Sequence, residues 1–150
     1  MTLANTLDNN KEIARRFIQA WSAGGLEVVD ELVAPNFTVF YSHFPAPVQG
    51  AEGFKAILAQ TYSSFPDIQV TVNEVIGEGD QVVVHWTYRG THQHGEVLGA
   101  RPTGKQVQVA GMTIYRIRND KVLEERGVVD NFSLAVQIGA ISISGQDSIG

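Results

Sequence analysis

The chain is predicted to be α+β, with three amphipathic helices covering one face of a run of antiparallel or mixed strands. Three observations carry this. Apolar residues recur at helical spacing as far as Tyr62, the period changes to alternation from Ile68 onward, and the alternating segments are separated by Gly, Asn and Asp turns. Gly90 and Gly95 permit bends, so the strands are expected to curl into a cone-shaped α+β barrel whose concave face is the natural ligand site.

The elements follow in order. Asp8 or Asn9 caps a first helix in which Ile13, Phe17, Ile18 and Trp21 share a face, and Gly24-Gly25 stops it. A short second helix runs from Leu26 to Val33 ahead of Pro35. An extended aromatic segment, Phe37 to His43, leads into the two-proline loop Phe44–Gly50. The third helix starts at Ala51 and carries Phe54, Ile57, Leu58 and Tyr62 until Phe65-Pro66-Asp67 breaks it. Strands are then expected from Ile68 to Glu74 or Val75, from Gln81 to Gln93, from Val107 to Arg118 and from Lys121 to Asp130. The Asn119-Asp120 pair makes the last hairpin turn. Residues 1–139 are read as one domain and 140–150 as a tail that either frays or contacts a second subunit.

Composition excludes several classes. No apolar run approaches the roughly 20 residues that span a bilayer, and the N-terminal residues lack the basic and apolar regions of a secretion signal. With no cysteine there is no disulfide, thiolate nucleophile or thiolate metal site, which fits a cytoplasmic location. The net charge of -5 argues against nucleic acid or an anionic membrane as a partner.

Candidate chemistry gathers in the last strand. A strict period of two puts Val122, Glu124, Arg126, Val128 and Asp130 on one face, delivering a carboxylate next to Phe132, Leu134 and Ile138. Desolvation there would raise the pKa of Asp130 and suit it to proton transfer; the plainer alternative is a helix cap for Asn131–Ile138. Arg126, two pleats away, either pairs with Asp130 or meets an anionic ligand. Trp86 shares a face with Tyr88, and Met112 with Arg116. If that face is concave, Trp86 and Met112 wall an apolar site and Arg116 adds a charge; with reversed parity Tyr115 enters instead. His43, with Tyr41 near it in the aromatic segment, is by position alone a strand-end histidine bonded to backbone. His92 lies at the rim of the cavity or at a dimer contact. His85, His92 and His94 lack the spacing of a metal site, so none is expected.

Beyond these readings, the sequence from about Lys11 to Gly139 resembles the SnoaL-like polyketide cyclases, or ester cyclases, of the nuclear transport factor two and ketosteroid isomerase-like superfamily. The resemblance rests on Phe65-Pro-Asp67, Gly79-Asp80 before a valine run, Gly90-Thr-His92, Gly99 followed by Pro102-Thr-Gly-Lys105, Tyr115-Arg116-Ile117, Lys121-Val122 leading to Asp130, and Gln137-Ile-Gly139. It implies a homodimer that needs neither metal nor organic cofactor, acting on a small hydrophobic or polyketide-like molecule. It also implies that Asp130 serves as general acid/base in an intramolecular aldol ring closure, with His43 as the donor facing the cavity; the residues read as surrounding the substrate are Tyr41, Trp86, His92, Met112, Arg116 and Arg126. The chain departs from the family in one place: Arg126 stands where a Trp is common. The alternative is a non-catalytic small-molecule-binding or dimeric interaction module of the same fold.

Overall fold

Helix formation begins at Leu3, ahead of the Asp8 or Asn9 cap, in a computed structural model that describes residues 3–144. Helix α1 (Leu3–Ile18) tightens into a 3₁₀ turn, Gln19–Trp21, and is followed by α2 (Glu27–Leu32). The turn between them requires Gly25, where a Cβ would lie 2.0 Å from the Gln19 carbonyl oxygen. Strand β1 (Val33–Tyr41) starts earlier than the aromatic segment suggested and includes Pro35. The proline is tolerated because pairing with the neighbouring strand shifts register between Val33 and Thr38. Next come β2 (Val48–Gln49), α3 (Gly50–Ser64), β3 (Gln69–Glu78), β4 (Gln81–Thr91), β5 (Gln106–Arg118), β6 (Lys121–Val129) and α4 (Asn131–Gln137).

The six strands form one mixed sheet, curved and unclosed, in the order β2-β1-β6-β5-β4-β3. β1 runs parallel to β6 and every other neighbouring pair is antiparallel. Asn119 and Asp120, with φ of 52° and 63°, make the β5–β6 hairpin turn that their sequence signals. Helices α1 and α3 cover the inner face. Phe17 packs against Phe37, Phe54 and Tyr115 with ring centroids 5.7, 5.7 and 5.8 Å apart. A second apolar cluster, centred on Phe65, Ile68, Val107, Val109, Leu134 and Ile138, joins α4 to the far end of the sheet. Gln137 clamps the two together by bonding both the N–H and the carbonyl of Gln108 at 2.9 Å.

One bulge decides which side chains face inward. Ile117 pairs with Val122 but Arg116 pairs with Glu124, leaving Leu123 without an opposite residue. Val122 and Glu125 therefore both point to the core, whereas Arg126 and Val128 are exposed on the outer face. On β5 the inner residues are Val107, Val109, Gly111, Thr113, Tyr115 and Ile117, so the reversed parity holds there. Among the described residues no helix is long and apolar enough to cross a membrane. Of the 140–150 tail, Ala140 and Ile141 cap α4 through the Ala135 carbonyl, and residues 145–150 lie outside the described part.

Candidate functional site

A cavity of about 430 Å³ opens between the inner face of the sheet, α3 and the loop that follows β4. That volume falls in the range of small-molecule sites. Its aromatic wall is Trp21, Tyr41, Trp86 and Tyr88, with the last two stacked at 6.1 Å. Opposite, α3 presents Ile57, Gln60, Thr61 and Ser64, a stripe at i, i+3, i+4 and i+7 that puts three polar side chains against the aromatic platform. His43 and Phe44 enter just after β1, Glu96, Val97 and Leu98 from the loop, and Asn131 and Leu134 from α4.

Two glycines let the wall lie flat. A Cβ at Gly111 would meet the Trp86 ring at 2.3 Å, and one at Gly127 would meet the Met112 carbonyl oxygen at 2.3 Å and the Tyr41 ring at 2.8 Å. Behind the wall lies a polar knot. Glu125, 1% exposed, accepts hydrogen bonds at Oε2 from Trp21 Nε1 (2.8 Å) and the Tyr41 hydroxyl (2.7 Å). Thr113 Oγ1 lies 2.8 Å from the Tyr41 hydroxyl and accepts from Trp86 Nε1 at 2.9 Å. Burial pushes the Glu125 carboxyl up to about 7, against the pull of its hydrogen bonds. Burial also holds Tyr41 and Tyr115 well above the ordinary tyrosine value. Tyr115 and Glu125 act on each other electrostatically, yet neither the Tyr115 hydroxyl nor Glu125 Oε1 has a hydrogen-bond partner of normal geometry.

Of the residues singled out in the sequence, Tyr41, His43 and Trp86 line the cavity. His43 packs its ring against Phe44 at 5.0 Å and Tyr41 at 6.2 Å, and partial burial lowers its pKa from 6.5. The others lie elsewhere. Asp130 is exposed rather than sunk among apolar side chains: its Oδ1 accepts from Ser133 N at 3.0 Å and caps α4 between two lining residues, Val129 and Asn131. Arg126 donates to Gln81 Oε1 at 3.0 Å on the outer face, and among the described residues no ion pair joins it to Asp130. Arg116 is also on the outer face, bound to Asp80 at 2.9 Å and Glu124 at 3.3 Å, and Met112 is 49% exposed there. His92 is fully buried behind the cavity, with Phe65 against its ring and Nε2 2.7 Å from the Gly95 carbonyl oxygen, where it anchors the loop.

Sequence reasoning missed Glu125 because a strict period of two assigns it to the opposite face. The signal available was the Glu124-Glu125 pair itself: whichever parity holds, one of two adjacent carboxylates must face inward.

The family model described as SnoaL-like polyketide cyclase matches residues 11–138. Among solved structures the chain is similar to one named “Putative SnoaL-like polyketide cyclase” from Jannaschia sp. CCS1, at 31% identity and TM-score 0.79, covering 91% of this chain and 95% of that one. It is also similar to IdmH from Streptomyces antibioticus, at 27% identity and TM-score 0.75, covering 87% and 98%. A Catenulispora acidiphila protein with a ketosteroid isomerase-like fold, at 23% identity, TM-score 0.71 and coverage of 85% and 92%, shares the fold. No curated protein matches the chain.

Proposed function

Because the chain belongs to the SnoaL-like polyketide cyclase family, we propose that it binds a hydrophobic carbonyl compound in the cavity and closes a ring on it by general acid/base chemistry without a cofactor. The observation that carries this is the cavity itself: an aromatic platform facing a polar helical stripe, with His43 among its lining residues. An aldol closure begins when a base takes a proton from the carbon next to a carbonyl. The enolate carbon then attacks a second carbonyl of the same molecule, forming the carbon–carbon bond, and the new alkoxide takes the proton back from the base. His43 fits this part, since its lowered pKa leaves the imidazole neutral and able to accept a proton at pH 7. Asp130 contributes through the cap that places Asn131 and Leu134.

Turnover of planar β-keto esters tests the reading. His43→Gln is expected to lower kcat/KM by about a hundredfold or more, while Asp130→Asn leaves it within about threefold, the order of a factor expected from sub-kcal changes. Equal activity of His43→Gln and wild type would sink the assignment. A second reading, capture without turnover, is favoured by the ties that bind the Tyr41 hydroxyl to Glu125 and Thr113 and so turn a buried donor away from a ligand. Binding of the same esters with no turnover by the wild type would select it.

The protein is further proposed to act as a cytoplasmic homodimer joined through the outer face of the sheet. Phe40, Met112 and Val128 are 38%, 49% and 53% exposed on that face, and Met112 pairs directly with Val128. A solvated antiparallel face would ordinarily carry polar residues at those positions.

A further inference from the structure

We propose that the compound taken up by the cavity carries a positively charged amine, quaternary or protonated, and that Glu96 at the cavity mouth is the residue that selects it. This rests on the reading of the cavity as a ligand site and names the charge of what enters, which the family assignment leaves open.

The charges around the cavity come first. Among the described residues that line it there is no lysine or arginine, and Glu96 is the one carboxylate. His43, the one basic side chain in the lining, is kept neutral at neutral pH because partial burial lowers its pKa. Arg101 and Lys105, further along the loop, are exposed and do not line the cavity. Glu96 is itself exposed and has neither an ion pair nor a hydrogen bond among the described residues, so its charge is left for a ligand.

The donors of the wall point the other way. Trp21 Nε1 and the Tyr41 hydroxyl donate to Glu125, and Trp86 Nε1 donates to Thr113. What these rings turn to the cavity is their carbon framework, with Trp86 stacked on Tyr88. An aromatic face carries negative potential, so it attracts a cation and repels an anion. On α3 the Thr61 hydroxyl spends its proton on the Ile57 carbonyl at 3.0 Å and offers the cavity only an acceptor. Gln60, Ser64 and Asn131 each carry a donor and an acceptor and so serve either charge. A carboxylate ligand meets no cation here; an ammonium meets aromatic faces and a free carboxylate.

The loop holds Glu96 in place from both sides. Before it, the Gly95 carbonyl accepts from Nε2 of the fully buried His92 at 2.7 Å. After it, Val97 and Ala100 exchange backbone hydrogen bonds of 3.0 and 2.9 Å across the turn Leu98-Gly99, where both residues have positive φ. The Gln93 N–H donates to the Ser64 carbonyl at 2.9 Å and ties the loop to the polar stripe of α3. The carboxylate is thus positioned before a ligand arrives, and little ordering of the backbone is left to oppose binding.

The test uses acetylnaphthalenes that differ only in one substituent on the ring remote from the acetyl group: trimethylammonio, methoxy or carboxylate. Each is titrated into the full chain by calorimetry at neutral pH. Wild type is expected to bind the trimethylammonio ketone about fivefold more tightly than the methoxy ketone, and the carboxylate about tenfold or more weakly than the trimethylammonio ketone. Glu96→Gln is expected to cut the advantage of the ammonium over methoxy by about threefold and to leave methoxy binding as it is. Glu96→Lys is expected to bind the carboxylate more tightly than the ammonium. Both substitutions fall on an exposed loop residue and leave the core untouched. An ammonium bound no more tightly than methoxy by the wild type, a carboxylate bound as well as the ammonium, or an ammonium advantage that Glu96→Gln leaves intact would overturn the proposal; binding of the methoxy ketone would then keep the ligand-site reading standing. Failure of every ketone to bind would remove both.

Discussion

The Glu125 carboxyl, raised by burial from 4.5 to about 7, makes the stability of the fold depend on pH in an unusual direction. Between those two values the folded protein holds a proton that the unfolded chain has released, so stability falls as pH rises through the window. Above pH 7 the loss is complete and amounts to roughly 3 kcal/mol. Urea unfolding of wild type is expected to show this decline between about pH 4.5 and 7, and Glu125→Gln to abolish it. A wild-type profile that rises across the same window would refute it. Asp130 has the opposite character: exposed and bonded to the Ser133 N–H, it is worth what a helix cap is worth. Asp130→Ala is expected to cost about 0.5–2 kcal/mol, measured by the same unfolding, through fraying of α4.

At the scale of elements, β5 and β6 do the positioning. Gly111 and Gly127 leave the sheet bare where the Trp86 and Tyr41 rings must lie against it. Gly111→Ala places a methyl carbon 2.3 Å from the Trp86 ring and 2.6 Å from the Val128 carbonyl oxygen, and neither neighbour is a flexible chain end. The substitution is expected to cost about 1–3 kcal/mol and to alter tryptophan emission; an unchanged melting temperature would show that the ring has room to move. The bulge at Leu123 is the other device, since it lets Val122 and Glu125 face the same side although they stand three positions apart, an odd spacing. It also puts Arg126 and Asp130 on the outer side, which explains why the carboxylate and guanidinium expected in the cavity are absent from it.

Considered whole, the molecule has two unlike sheet faces. The inner one is sealed by α1 and α3 apart from the cavity, while the outer one keeps Phe40, Met112 and Val128 exposed around Arg126. Arg116, bound to Asp80 and Glu124, braces the edge of that patch. Met112→Asp combined with Val128→Asp is expected to convert the proposed dimer to monomer in sedimentation velocity without loss of the cavity, because neither side chain reaches the core. A wild type that sediments as a monomer at high concentration would refute the dimer.

The order of the helices and long strands, the change of period at Ile68, the Asn119-Asp120 hairpin and the α+β class were determined by the sequence alone, whereas β2 fell within what reads as the two-proline loop. Each depends on interactions between residues close along the chain: apolar spacing, turn conformation, a proline break. Which face each strand turned inward was decided only in the tertiary structure. β6 pairs with β5 on one side and with β1 on the other, and the one extra residue at Leu123 reverses every face assignment beyond it. The status of Glu125 is likewise tertiary. Its burial and its hydrogen bonds come from Trp21, Tyr41 and the β5 side chains, which only the folded sheet and the turn after α1 bring to the same place. Trp86 and Tyr41 could be chosen from their types and positions, but the acid behind them could not.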